Sequence, residues 1–542
     1  MSGITRRQFV VGMAGAGLLT AAPWLWTSRK SRVYAQAVSR AFIGAEGFGA
    51  TANGWRSPSA EILFVKNLND TGADSFRSHY ARADQGLANP TAPRYIIFQT
   101  GGYIPCTSST TQDNVPRINN VLGNLNSGNV YVAGQTAPGG GVTIKGTGPN
   151  NMNTDGLFVR GGHTCVRFMR ARNHADAGNN SWALGFWRNS GAEYAIVDHC
   201  SFSFATDDSV ACNFHMSTIQ NCIISEGLSR GDGNHARGML LDPKNGSVLH
   251  SIHHSAFLHA GVQRFPAFSS GQGAECVNCV VYNWGGDGFG AGAYGHNVFN
   301  VSPAPKWDFV SNVYKWGPTS DDNGGGGAFP LTASEIISGY NPCTIYTSGN
   351  KAILPVVGSE YITARQRGEP SPQCAAGGFK AWTPIFPVTT TDISTQAAGA
   401  AFVTALFAHI GASRIRDGHD TAVLASYDAY TGDSTTAHEN QSLWALQNGG
   451  NPWTTLSTGT AEHLEPSGMT DEFITRMGLV NTVNSALSTS ISEARGFGED
   501  YQNIEWNLME KAGDIAPLES SGSGAGKIRH GGKVRMSGGV RM

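Results

Sequence analysis

Charge is scarce in this chain: Asp, Glu, Lys and Arg make up 14% of its 542 residues, while glycine alone numbers 70. Helical bundles carry more charge and less glycine, so a turn-rich β protein is expected. The glycines follow no fixed period, which excludes collagen. Basic residues are not in surplus, the formal net charge being −2, so nothing marks a nucleic-acid surface. The nine cysteines include no paired Cys-x-x-Cys motifs, which argues against a zinc ribbon; Cys276-Val-Asn-Cys279 stands alone. Long apolar runs are also lacking. The stretch from Val10 to Trp26 is at the short limit for spanning a bilayer, and Gly12, Gly15 and Gly17 weaken it.

That stretch is better explained as an address. Thr5-Arg-Arg-Gln-Phe9 precedes it and Ala35-Gln-Ala37 offers a small-residue cleavage site, so residues 1–37 are expected to be a twin-arginine signal peptide. Its removal deletes five basic residues and takes the net charge from −2 to −7. The mature protein is then periplasmic or secreted, with no stable membrane insertion. Cysteines in an exported protein invite disulfides, and Cys343 with Cys374 is the best candidate pair. Cys200, Cys222 and Cys279 are expected to be small buried hydrophobes.

What is abundant is repetition. Val197-Asp-His-Cys-Ser-Phe202, Ile219-Gln-Asn-Cys-Ile-Ile224, Ile252-His-His-Ser-Ala-Phe257, Cys276-Val-Asn-Cys-Val-Val281 and Val310-Ser-Asn-Val-Tyr314 are copies of one short block. Aligned, they place His199, Asn221, His254, Asn278 and Asn312 in one column, at steps of 22, 33, 24 and 34 residues. The next column holds Cys200, Cys222, Ser255, Cys279 and Val313, and Phe168 falls in the first column by the same register. A short apolar strand recurring at this spacing predicts an all-β solenoid whose rungs bury their faces against neighbours, with polar residues stacked in a ladder. Earlier strands are expected at 62–65, 95–98, 130–132, 142–144 and 166–168, and helices at 394–410, 469–477 and 501–511. The Gly/Ser/basic end, from 520, reads as disordered.

These segments resemble the pectate lyase superfamily, specifically bacterial polysaccharide lyase family 1. The resemblance rests on Gly44-Ala-Glu-Gly-Phe-Gly49, Asn67-Leu-Asn-Asp-Thr-Gly72, Ala133-Gly-Gln-Thr-Ala-Pro-Gly139 with Val142-Thr-Ile-Lys145, Val197-Asp-His-Cys-Ser-Phe-Ser203 with Thr206-Asp207, Ile223-Ile-Ser-Glu-Gly227 and Tyr282-Asn-Trp-Gly285. A weaker likeness runs through Ile410-Gly-Ala-Ser-Arg414, Arg416-Asp417 and Gly468-Met-Thr-Asp-Glu472. It implies a right-handed single-stranded parallel β-helix with long loops over 38–328, a mixed, partly helical C-terminal extension over 329–516 that packs on it, and a low-complexity basic tail over 517–542.

It also implies calcium-assisted β-elimination on pectate or a related uronan, by a monomer whose partner is an acidic polysaccharide. A base takes the C5 proton, a cation neutralises the neighbouring carboxylate, and the C4 oxygen leaves. Val262-Gln-Arg-Phe-Pro266 matches the family's Arg-x-Pro motif and makes Arg264 the candidate base. His235 stands where the family holds substrate and is the second catalytic candidate, with Arg237 and Lys244 as substrate-binding cations. Asp176, Asp207 and Asp208 match calcium-ligand positions. Some positions depart from the family pattern. Four residues after Asp207 and Asp208 stand Ala211 and Cys212, and Ser269 replaces a second arginine. The calcium site is therefore expected to be weak or completed by substrate. Three other readings remain: a non-catalytic binder of acidic glycans, a glycoside hydrolase on the same scaffold, which needs two carboxylates flanking the bond, and a structural surface fibre.

Overall fold

Each repeated block folds into two short strands joined by one bend, and the bends set the register of the coil. The computed structural model describes residues 40–80, 91–106, 128–146, 156–173, 182–186, 193–228, 237–241, 249–261, 264–269, 273–284, 297–299, 306–318, 344–353, 362–363, 379–380, 392–432, 456–495 and 501–519. Among them the strands form sheets of 11, 10 and 6 members, parallel throughout except for one antiparallel pair, Lys351–Ile353 with Ile362–Thr363. The architecture is a right-handed parallel β-helix, the hand that parallel β crossovers take. No described helix is long and apolar enough to cross a membrane. The expected signal peptide, the Cys343 and Cys374 pair and the tail from 520 lie outside the described residues. Cys165, Cys200, Cys212, Cys222, Cys276 and Cys279 are buried free thiols.

Like residues lie over one another along the coil. In the first sheet Val166, Val197, Ile219, Ile252, Cys276 and Phe309 are successive register partners and share one buried core. In the second sheet Ala171, Phe202, Ile224, Phe257, Val281 and Tyr314 do the same. Burying each large apolar side chain contributes about 1.5–3 kcal/mol, and the stack repeats that gain at every rung.

The polar ladder is real, but its columns differ from the alignment of the sequence blocks. The bend column is Phe168, His199, Asn221, His254, Asn278 and Ser311, each at positive φ. Their N–H groups donate in turn to the carbonyls of Asp198, Gln220, His253, Val277, Val310 and Ser348. Ser311, not Asn312, is thus the counterpart of Asn278. The block Val310-Ser-Asn-Val-Tyr314 is one residue short, and matching Asn to Asn slipped it by one position. The left-handed bend costs roughly 1–2 kcal/mol in most residues and least in Asn, which accounts for Asn221 and Asn278 there.

Asn312 stacks in the inner column with Cys200, Cys222, Ser255 and Cys279. These side chains cap the bend of the preceding rung. Ser255 Oγ accepts from Cys222 N at 3.0 Å, Asn312 Oδ1 from Cys279 N at 2.8 Å, and Asn350 Oδ1 from Asn312 N at 2.8 Å. Cys222 Sγ accepts from Cys200 N at 3.5 Å, so the thiols are weak ladder members as well as apolar filling.

The C-terminal residues cover two of the three sheets. Helices Ala400–His409 and Gly418–Ala429 lay Phe402, Val403, Leu406, Val423 and Tyr427 on Ile223, Leu258, Val280, Tyr282 and Val313 of the second sheet. Beneath them Arg172 forms ion pairs with Asp417 and Asp420 at 2.5 and 2.9 Å. Helices Asp471–Met477 and Asn503–Ala512 bring Phe473, Ile504 and Leu508 into a cluster with Tyr95, Ile97, Tyr131 and Ile196 of the first sheet. Neither cluster holds Phe158, Ala211 or Leu240, the residues of the third sheet that alternate with its inward set.

Candidate active site

The third sheet runs through Leu157–Val159, Leu184–Phe186, Asp208–Cys212, Arg237–Leu241, Ala267–Ser269 and Asn297–Phe299. Val210, Leu184 and Met239 point into the core, and alternation sends the first residue of these strands the same way as far as the sheet's edge. Charge collects there at strand entry. Asp208 pairs in register with Arg237, and Arg264 lies three residues before the next strand.

Four charged side chains meet at this edge. Nη1 of Arg264 lies 2.8 Å from both carboxylate oxygens of Asp208, and Nη1 of Arg237 donates to Asp207 Oδ1 at 2.9 Å. Backbone bonds lock the pairs: Arg237 N donates to Asp207 O at 3.2 Å, and Met239 N to Arg264 O at 2.6 Å. Arg264 itself sits at φ 72, a strained conformation for a side-chain-bearing residue and one that collects at functional positions. Gly238 makes the close approach feasible. A Cβ there would stand 2.3 Å from the Arg264 carbonyl oxygen.

The pairs are only partly closed to water. The side chains of Arg264 and Arg237 are 12% and 15% exposed, that of Asp207 13%, and that of Asp208 3%. Burial pushes the Asp208 carboxyl up to about 6; Arg264 opposes the shift and the adjacent Asp207 charge adds to it. Burial lowers Arg237, and the neighbouring Arg264 charge lowers it further. Because the folded state holds the Asp208 proton more tightly, Asp208 contributes stability below about pH 4 that is lost as pH rises through about 6. In an infrared difference between the native protein and Asp208→Asn, the carboxylate band is therefore expected to titrate near pH 6; a midpoint near 4 would refute the burial argument.

Of the residues singled out in the sequence, Arg264, Arg237, Asp207 and Asp208 come together at one edge. Asp176, His235 and Lys244 lie outside the described residues. The pairing of Asp208 with Arg264 was not visible in the sequence, because 56 residues separate them; the solenoid brings them within two rungs. The described donors do not form a calcium cage. Calcium takes six to eight oxygens, whereas the Asp208 oxygens face Arg264 and Asp207 Oδ1 faces Arg237.

Fold and site together define a parallel β-helix protein with guanidinium–carboxylate pairs at the edge of one sheet. No family model matches the chain. Curated relatives do. The Aspergillus flavus protein named "Probable pectate lyase C" is 27% identical over 447 residues, covering 80% of this chain and 88% of its own. Its namesake in Aspergillus fumigatus is 26% identical over 468 residues, covering 84% and 91%. Among solved structures, the cedar-pollen allergen Jun a 1 matches with a TM-score of 0.44 at 14% identity, over 68% of this chain and 92% of its own. A Bacillus pectate lyase in complex with trigalacturonate matches with a TM-score of 0.40 at 14% identity, over 68% and 98%. Over most of its length the chain is thus similar to proteins named as pectate lyases.

Proposed function

We propose that this protein is a polysaccharide lyase that cleaves pectate or a related uronan by β-elimination. The observation that carries the reading is the pair of neighbouring, partly exposed guanidinia, Arg237 and Arg264, on the edge of the third sheet. Its Aspergillus relatives bear the name pectate lyase. In the proposed reaction Arg237 leaves Asp207 to grip the uronate carboxylate, and its charge stabilises the electron density that spreads there. A guanidine nitrogen of Arg264 accepts the C5 proton. The electrons of that C–H bond form the C4=C5 double bond, and the C4–O bond breaks.

Arginine is an unusual base because its proton leaves water-exposed guanidinium only above about pH 12. Activity is accordingly expected to climb on the alkaline side of neutrality. His235 and Lys244 are the proposed further contacts to the leaving oxygen and the substrate, and Asp176 a further carboxylate. Calcium belongs to the proposal as an ion completed by substrate, since the described carboxylates are already paired. We also read residues 1–37 as a twin-arginine export signal and the mature protein as a secreted or periplasmic monomer.

The test is incubation of purified protein with polygalacturonate, with and without calcium, following ultraviolet absorbance of the unsaturated product. Absorbance that rises with new chain ends supports elimination. New reducing ends without absorbance would mean hydrolysis. Retention on the glycan without cleavage would favour a binding protein, a reading that the ion pairing of Arg264 with Asp208 also supports.

Gly238→Ala tests how finely Arg264 is placed. The added Cβ would press the Arg264 carbonyl, and a displacement of about 1 Å can cost about 10²-fold in turnover. That loss is expected with the circular dichroism unchanged; near-native turnover would show that Arg264 tolerates the shift.

A further inference from the structure

A second polar cluster lies away from the third sheet. Glu46, His253 and His254 are buried, and one potential ligand atom of each lies within 4.8 Å of the others. The histidines close a first-sheet strand, Leu249–His253, and begin its bend. Glu46 comes from the N-terminal segment, whose N–H donates to Gln220 Oε1 at 3.0 Å. Ser394 donates to the two Glu46 carboxylate oxygens, from N at 2.9 Å and from Oγ at 2.6 Å.

The two imidazoles face one another through Nδ1, 2.9 Å apart. Two neutral rings cannot aim lone pairs at each other at that distance unless a proton or a cation lies between them. Two nitrogens bound to one tetrahedral zinc ion at about 2.0–2.1 Å stand about 3.3 Å apart, so the rings need part by only about 0.4 Å to share one. Burial favours neutral imidazole, the form that ligates. The remaining ring nitrogen of His253 makes no aligned hydrogen bond, although the Glu46 backbone lies close, a common place for the outer contact of a ligating histidine. Ser394 orients Glu46 in the same way.

We propose that Glu46, His253 and His254 bind a divalent transition-metal ion of the zinc type. Two nitrogens and a carboxylate are a zinc donor set, and unlike an all-oxygen set they do not suit calcium. The ion fastens three pieces of chain that the solenoid alone does not join: the N-terminal segment, the bend at His254 and the strap beginning near Ser394. The other three-residue cluster among the described residues, Asp417, His419 and Asp420, is unlike this one because Arg172 already neutralises its carboxylates.

The full-length protein, produced in zinc-supplemented medium and desalted, is expected to carry zinc equimolar with chain by mass spectrometry. His253→Gln/His254→Gln is expected to carry none above background while its circular dichroism stays that of a β-helix. Should the variant fail to fold, the native protein produced with cobalt supplies a second measurement, a visible absorption from nitrogen and oxygen ligands. Folded native protein without zinc and without the cobalt absorption overturns the proposal and leaves a shared proton between the rings. So does a folded double variant that retains as much metal as the native protein. Lyase activity is not read, so failure of the uronan reading would leave this result intact.

Discussion

Arg264→Lys is expected to lower kcat on polygalacturonate by about 10²–10⁴-fold, the usual contribution of a positioned general base, while leaving thermal unfolding close to native. Lysine keeps the positive charge but not the planar fork, and it reaches Asp208 as a point charge. The Nη1 atom that now lies 2.8 Å from both Asp208 oxygens would have no counterpart at the same place. A stable variant with near-native turnover would remove Arg264 from the reaction. A variant that binds polygalacturonate as before but does not cleave it would separate chemistry from grip.

The second large effect is structural. Arg167 is fully buried, with Nε 2.7 Å from Asp198 Oδ2, Nη1 2.6 Å from Asp514 Oδ2 and Nη2 2.8 Å from Asp514 Oδ1. Its guanidinium also lies 3.7 Å from the centre of the Phe42 ring. Burial pushes Asp198 up, yet His199 and Arg167 together hold its carboxyl well below the usual range. Arg167→Leu would leave two buried carboxylates without their cation, at a cost of about 3–5 kcal/mol. The expected readout is a lower urea midpoint, with the loss deepest above pH 4, where Asp198 is ionised in the folded and unfolded chains alike. A change under about 1 kcal/mol would mean that water or His199 replaces the guanidinium.

Arg167, Arg170 and Arg172 also mark where the sequence stops being legible. Val166-Arg-Phe-Met-Arg-Ala-Arg172 is apolar and basic in alternation, which suggests a half-exposed strand. All three arginines are buried, because Asp417, Asp420 and Asp514, more than two hundred residues later, fold over them. No local pattern encodes that contact. The coil was legible because its signal is local and repeated: the apolar blocks fall on the strands Glu193–Asp198, His215–Gln220, Leu249–His253, Gly273–Val277 and Lys306–Val310. Three of the expected helical stretches hold Ala400–His409, Asp471–Met477 and Asn503–Ala512.

The helix Gly418–Ala429 went unread, since Gly-His-Asp at its start looks like a turn. Its signal was Asp417, whose side chain accepts from Asp420 N as an N-cap. At the site, residue types were legible from the Arg-x-Pro motif and the paired aspartates, but their partners were not. Which acid meets which arginine depends on loop lengths between rungs, and sequence periodicity leaves those free.

The late helices clasp arginines that belong to an early turn of the coil. A spring whose turns touch only their neighbours can fray from either end, one turn at a time. Here the last part of the polypeptide returns to hold Arg167 and Arg172, so loosening the final turns also means prising off the clasp. The coil should resist unravelling as a single object, and a protease that nicks the returning strap would restore the frailty of a bare spring.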